Sequence, residues 1–289
     1  MPVKEKLKGL LEQVGQWSLA GSPGKRVVVL CYHSIHPSKP FASASPEEFG
    51  RHLDWLATHC EVVSLDRILS AVTAPHDQGR PLVAITFDDG YADNYEFAFP
   101  LLQSRGLTAT FFVTVGLLER DAEVVARLQA LRGCAYEDVR PLEWGQAREM
   151  QVAGMAIGGH TYSHPNLAVL SRTRAQDELR RSKTILEDRL GTAVAAFAYP
   201  FGKPGRHFTA ETVGLVEEAG YDYACAVLFR ALRSTDSRFA IPRLFVTQDS
   251  LERLRAKVLG AWDLLGVWQE RSPLWLAQII SPIDFNEWP

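Results

Sequence analysis

His160 and His164 sit four residues apart in GGHTYSHPNL, between a glycine pair and Pro165. That spacing lets two imidazoles converge on one cation from a helical turn or a tight loop. The flanking glycines and proline mark a shaped loop rather than a helix interior. Far earlier in the chain, TFDDGYADN places two adjacent carboxylates, Asp88 and Asp89, after an apolar run. Strand alternation aims them in different directions, so one can serve a metal and the other a water. A strand-to-helix Asp-Gly turn explains one aspartate but not the second. Two imidazoles and one carboxylate leave coordination positions open for water and substrate, as a catalytic metal site requires. The same ligand types describe the facial triad of non-haem iron oxygenases. Those sites belong to all-β folds with the carboxylate just after the first histidine, and this chain has neither feature. Two other apolar runs end in residues of interest. VVVLCYHSIHP delivers His33, whose plain alternative is a structural histidine at a strand end, and AAFAYPFG delivers the turn Pro200-Phe201-Gly202.

The elements that must position these residues alternate along the chain. Dense apolar or β-branched runs predict strands at 27–32, 81–87, 108–114, 155–159 and 195–199, with YDYACAV and AIPRLFV as further strands. Helices are predicted from Pro46, capped by Ser45, to about Thr58, and over 94–105, 119–132 and 144–154. Another runs from its Ser171 cap to Leu190, one spans 209–220, and one follows Ser250. Strict alternation predicts an α/β protein with a parallel sheet closed, or nearly closed, into a barrel. Function then belongs at the C-terminal ends of the strands, where His33, Asp88-Asp89, His160 to His164 and Pro200 to Gly202 all fall.

Composition limits the partners. With 31 basic and 34 acidic residues and a net charge of -3, the chain has no excess of positive charge for a polyanion, and no nucleic-acid partner is expected. The four cysteines form no CxxC pair, and Cys31, Cys60 and Cys225 read as small core residues. Leu7, Leu10, Leu11, Val14 and Trp17 recur at helical spacing near the N-terminus, with no uninterrupted apolar leader. No run approaches the ~20 apolar residues of a membrane span. The expected location is the cytoplasm.

TFDDGYADN, GGHTYSHPNL and FAYPFG, in that order, resemble the motifs of the polysaccharide deacetylases, carbohydrate esterase family four. The similarity spans residues 26 to 247 and implies a distorted, partly open (β/α) barrel. It also implies removal of N-acetyl groups from an amino sugar by metal-assisted hydrolysis. By this resemblance Asp89, His160 and His164 hold a divalent metal, with zinc expected and cobalt, nickel or manganese as alternatives, and Asp88 is the general base. The resemblance further implies that the backbone N–H of Phe201 can donate to the developing oxyanion and that Tyr91, Pro200 and Gly202 border the substrate. Family members usually carry the general-acid histidine near the end of the domain, but no histidine follows His207 here. The chain resembles a branch, seen among exopolysaccharide enzymes, whose last strand has moved to the N-terminus, which makes His33 the acid. Many members place an arginine two residues before the third motif's proline. Ala198 stands there, and Arg243 in AIPRLFV is the candidate to orient Asp88 in its stead.

The expected organisation is an N-terminal helix and linker over 1–25, a catalytic domain over 26–247 and a Trp-rich helical extension over 248–289. Trp262, Trp268, Trp275 and Trp288 suit packing on the barrel, a dimer contact or a membrane surface. Packing is the expectation, and membrane contact would suit a lipid-linked sugar. The oligomeric state is not encoded legibly. Two other functions remain at this point: an amidohydrolase for a formamide or ureide, and a non-catalytic sugar-binding barrel.

Overall fold

Val27–Tyr32 (β1) is six residues of buried strand, pinned between parallel neighbours on both edges. The computed structural model describes residues 26–41, 43–71, 79–263, 266–267 and 270. Leu82–Phe87 (β2) pairs with β1 in the register Val27↔Leu82 to Tyr32↔Phe87. The sheet continues in chain order through Thr110–Val113 (β3), Ala156–Gly159 (β4), Ala196–Ala198 (β5) and Tyr223–Cys225 (β6). Leu244–Phe245 (β7) returns to the free side of β1, with Leu30↔Leu244 and Cys31↔Phe245 as partners. Every pairing in this sheet is parallel, so all strand C-termini share one rim.

The two edges meet through a short segment. Ile241 bridges Cys225 of β6, and three residues later the chain joins β1. Residues 241–245 therefore fasten both edges of the sheet and curl it into a distorted barrel with a narrow seam. Arg243 lies at that seam. This is the α/β barrel expected from the alternation of strands and helices.

Helices cover the sheet: Pro46–His59 (α1), Leu65–Ala71 (α2), Phe99–Gln103 (α3), Val115–Leu118 (α4), Ala122–Arg132 (α5), Trp144–Val152 (α6), Arg172–Leu190 (α7), Ala210–Glu218 (α8) and Leu251–Leu259 (α9). Local chemistry sets their ends. Ser45 Oγ accepts from Glu48 N at 3.1 Å and Glu48 Oε2 accepts from Ser45 N at 3.1 Å, a reciprocal cap that starts α1. Ser171 caps α7, and left-handed Gly191 ends it. Two expected helices differ in detail. Arg120 takes a left-handed φ of 59°, and Asp121 then caps Glu123 N and Val124 N, so the helix expected over 119–132 begins only at Ala122, as α5, behind the separate turn α4. Residues Asn94–Ala98 form a π-helical turn ahead of α3, a feature often found beside functional sites.

Aromatic side chains fill the core. Phe87 stacks on Phe111 at 4.6 Å and on Tyr32 at 5.5 Å. Truncating a ring of this kind costs about 3–5 kcal/mol. Cys31, Cys60 and Cys225 are buried and unbridged, as small core residues. Trp262 is buried, edge-on to Phe229 at 5.7 Å. The predicted N-terminal helix and Trp268, Trp275 and Trp288 lie outside the described residues. No helix among the described residues is long and apolar enough to cross a membrane.

Candidate metal centre and hydrolytic site

The C-terminal rim brings the widely separated sequence candidates together. Asp89 follows β2, while His160 and His164 follow β4, and their ligand atoms lie within 4.8 Å of one another. Asp89 Oδ1 is 3.3 Å from His164 Nε2 and 3.6 Å from His160 Nε2. His160 is held by its other nitrogen. Nδ1 donates to the Ala198 carbonyl at 2.7 Å, which leaves a lone pair on Nε2 aimed at the shared point. Asp89 Oδ2 accepts from Tyr91 Oη at 2.5 Å and from Arg132 Nη2. Among the described residues its Oδ1 is buried with no hydrogen-bond partner. A buried carboxylate oxygen left without a donor costs free energy, and two imidazole nitrogens beside it make the set suit a divalent cation. Oxygen and imidazole ligands are compatible with zinc and its neighbours in the first transition row.

Backbone strain gathers at the same place. Among the described residues six non-glycines have left-handed φ, and four of them are Asp89 (76°), Thr161 (65°), His164 (55°) and Phe201 (60°). Such conformations persist where the surroundings enforce them. The enforcing contacts are visible in the histidine loop. His164 N donates to Thr161 Oγ1 at 3.0 Å. The Glu178 carboxylate on α7 accepts from Tyr162 N at 3.0 Å, Ser163 N at 2.8 Å and Ser163 Oγ at 2.6 Å. A positioning role for Glu178 carries no local signal in the sequence.

Asp88 points elsewhere, as strand alternation requires. Arg243 grips it with both arms, Nη1 to Oδ1 at 2.6 Å and Nη2 to Oδ2 at 2.7 Å. Cys31 Sγ adds a 3.4 Å contact to Oδ2. Arg243 is fully buried and is itself fixed by the Ala226 carbonyl at 3.3 Å and Thr86 Oγ1 at 3.2 Å. The seam thus supplies the arginine that Ala198 does not. His33, Cys31 and Asp88 also present polar atoms within 4.8 Å of one another. His33 packs edge-on to Phe245 at 4.7 Å, and its carbonyl accepts from Asn94 Nδ2 at 2.8 Å.

The turn after β5 differs in detail from expectation. Pro200 and Gly202 are buried and shape the turn, and a Cβ on Gly202 would sit 2.6 Å from Val227 Cγ2. Phe201 is partly exposed, with its ring 4.9 Å from that of His164. Tyr91, expected at the substrate, is 1% exposed, and its hydroxyl is hydrogen-bonded to Asp89 and Arg132. The left-handed Asp89 and Gly90 turn the chain so that Tyr91 backs the metal ligand instead of facing a ligand. Arg132, on α5, also escaped the sequence reading.

Electrostatics follow from this packing. Burial works against ionisation of Asp88, yet Arg243, with His160 behind it, holds the carboxyl down at about 2. Asp89 is held well below the usual carboxylate range by Arg132 and His164 despite its burial. Burial pushes His33, His160 and His207 down to about 4. A histidine with a folded pKa below its unfolded one contributes stability that is complete above the unfolded value and drains as pH falls towards the folded value. In metal-free protein the midpoint of urea unfolding is therefore expected to be flat above about pH 7 and to fall between about pH 6.5 and 4, by up to ~3 kcal/mol per histidine. Asp88 adds a further loss only below about pH 3.8. A midpoint that does not move across the first window would contradict this.

Comparison with known proteins gives the same answer as the geometry. The polysaccharide deacetylase family model matches residues 76–224, just over half the chain. YxkH of Bacillus subtilis, named as a candidate polysaccharide deacetylase, is 25% identical over 237 residues, covering 82% of this chain and 76% of that protein. The poly-beta-1,6-N-acetyl-D-glucosamine N-deacetylase of Staphylococcus aureus is 21% identical over 231 residues, 76% of this chain and 72% of the relative. The structure of IcaB from Ammonifex degensii superposes with a TM-score of 0.65 at 27% identity, covering 82% of this chain and 98% of that one. The deacetylase PplD of Streptococcus pyogenes shares the fold, with a TM-score of 0.68 at 23% identity. A barrel whose rim gathers an aspartate, two histidines and an arginine-held second aspartate, in a sequence matched by that family model, belongs to the polysaccharide deacetylase family.

Proposed function

We propose that this chain hydrolyses the N-acetyl amide of an amino-sugar glycan, releasing acetate and leaving a free amine. The observation that carries this reading is the division of the acid pair. Asp89 has an unsatisfied Oδ1 beside two histidines, while Asp88, held by Arg243, stands within reach of His33. The N-deacetylase named among the relatives and the family match support the same reaction. The catalytic unit is taken as residues 26–247, because β7 completes the sheet on which Asp88 depends.

Asp89, His160 and His164 would hold the metal, which we take to be zinc, and when bound it polarises an amide carbonyl and lowers the pKa of water. Asp88 accepts the proton of the water that adds to the carbonyl carbon. Its Oδ2 already receives Arg243 and Cys31, whereas Oδ1 receives Arg243 alone, so Oδ1 is the oxygen with room for that proton. The backbone N–H of Phe201 would donate to the developing oxyanion, worth ~3 kcal/mol in comparable sites. As the C–N bond breaks, His33 protonates the departing nitrogen. Burial keeps its ring uncharged near neutrality. It therefore acts as an acid once the proton taken up by Asp88 has reached it, across a gap under 4.8 Å.

The test is a panel of amino-sugar oligomers bearing acetyl, formyl or ureido groups, given to zinc-loaded protein and scored for acetate, formate and ammonia. Acetate from the acetylated oligomers is the expected product. Formate or ammonia with no acetate would replace this reading by the related amidohydrolase. No turnover of any member, with metal bound, would favour a binding barrel.

A further inference from the structure

His33 lies one residue beyond the hydrogen-bonded part of β1. On one side of the strand the ladder closes with Asp88 N donating to the Tyr32 carbonyl at 3.0 Å. On the other it closes with Val246 N donating to the Cys31 carbonyl at 2.8 Å. The buried His33 carbonyl needs a donor from elsewhere. The ring has few anchors of its own. Phe245 packs edge-on to it at 4.7 Å, and its buried Nδ1 has no hydrogen-bond partner among the described residues. Where the backbone stands therefore decides where the imidazole points.

Two adjacent residues beyond β2 hold that backbone. Asn94 Nδ2 donates to the His33 carbonyl at 2.8 Å and to Asp93 Oδ1 at 2.8 Å. Asp93 Oδ2 accepts from Ser34 Oγ, and the same carboxyl accepts the Ile35 N–H. Residues 33, 34 and 35 are thus gripped in a row by one buried pair. The Asn94 amide is committed to this task, because its Oδ1 is buried with no hydrogen-bond partner among the described residues. Its two donor contacts must offset that cost. The backbone of the pair is itself fixed. Ala92 N donates to the Arg140 carbonyl at 2.7 Å and Asn94 N to the Tyr91 carbonyl at 3.1 Å, while Phe99 N closes the π-helical turn on the Asn94 carbonyl. Loop closure alone does not call for these contacts. Ser34 and Ile35 already pair with Ser43 and Ala44, and His36 N donates to the Ala44 carbonyl at 3.0 Å.

We infer that Asn94 and Asp93 are positioning residues for the acid: Asn94 sets the backbone of His33 so that the imidazole meets the departing nitrogen, and Asp93 holds Asn94 and residues 34 and 35 in that register. The inference rests on the N-deacetylase reading, in which His33 delivers the proton, and both residues act through His33. An amine departs poorly without a proton, so this step is sensitive to where the donor stands. A displacement on the order of 1 Å can cost roughly 100-fold in rate.

The test is a double-mutant cycle on acetate release from an N-acetylglucosamine oligomer by zinc-loaded protein, with bound zinc measured for every variant. His33→Ala is expected to lower kcat by roughly 100- to 10,000-fold. Asn94→Ala should lower kcat by roughly 10- to 100-fold, with KM changed by less than about twofold and zinc content unaltered. In the His33→Ala background the same substitution should change kcat by less than about twofold, because the group it aims is gone. Asp93→Asn keeps the side-chain shape but turns a donor towards Ser34 or Asn94. It should show a smaller loss with the same dependence on His33, and it serves where Asn94→Ala does not fold. Losses that multiply in the double variants, or single variants with unaltered kcat, overturn the inference and leave the N-deacetylase reading standing. Unaltered kcat in His33→Ala strikes the acid assignment and the inference with it. No acetate from the unaltered protein strikes the N-deacetylase reading itself, and the inference that depends on it.

Discussion

Arg243→Met is expected to lower kcat/KM by roughly 10- to 100-fold and to move the acid limb of the pH–rate profile upward. Burial favours the neutral form of Asp88, and the Arg243 charge is the chief opposing influence that keeps it near 2. With the guanidinium gone, burial acts unopposed and the carboxyl pKa rises, so the base is protonated at pH values where it now works. The substitution also leaves a fully buried carboxylate without its partner, at a stability cost of about 3–5 kcal/mol. Stability alone would lower the amount of folded enzyme without displacing the pH profile, so the profile is the decisive readout. Arg243→Lys should recover part of the shift, because an ammonium restores charge but not the two-armed grip. A stable Arg243→Met protein with an unmoved acid limb would mean that Asp88 is not the base.

What could be read from the sequence was whatever short-range rules encode. Apolar runs ending in His33, Asp88 and His160 identified strands and rim residues at once, because strand direction and barrel topology force those ends together. Ser45 and Ser171 announced their helices through cap chemistry that involves only the next three residues. The supporting shell was less legible. Arg132 reaches Asp89 from the last residue of α5, and nothing near it in the chain distinguishes it from a surface arginine at a helix end. Tyr91 was misplaced because its direction depends on successive left-handed backbone at Asp89 and Gly90, a turn geometry that the residue types allow but do not dictate. Arg243 was found only as a candidate, since its position depends on how residues 241–245 fasten the two sheet edges. Side chains that act on other side chains are set by tertiary geometry, and their local sequence carries little trace of it.

Arg132 offers the second large effect, with a sign that separates metal-free from metal-loaded protein. Asp89, Arg132 and Tyr91 are all buried, and Arg132 with Tyr91 occupies Oδ2 while Oδ1 is left for the cation. In the metal-free protein Arg132 is the chief positive charge holding Asp89 ionised against its burial. Arg132→Met then strands a buried charge, and about 3–5 kcal/mol of stability should be lost in the presence of chelator. With zinc bound, the cation itself neutralises Asp89, so the loss should be much smaller. Since binding to the folded state stabilises it by RT ln(1 + [M]/Kd), a larger gap between the two conditions means a lower Kd for zinc. The arginine would thus stabilise the metal-free protein at the expense of metal affinity, while it holds the second oxygen of Asp89. Urea unfolding of wild type and Arg132→Met, each with chelator and with saturating zinc, measures both effects in one experiment. Tyr91→Phe should show the same pattern at about 1 kcal/mol, the size of one neutral hydrogen bond. Equal destabilisation with and without zinc would show that the cation does not engage Asp89, and the assignment of the metal centre would fall with it.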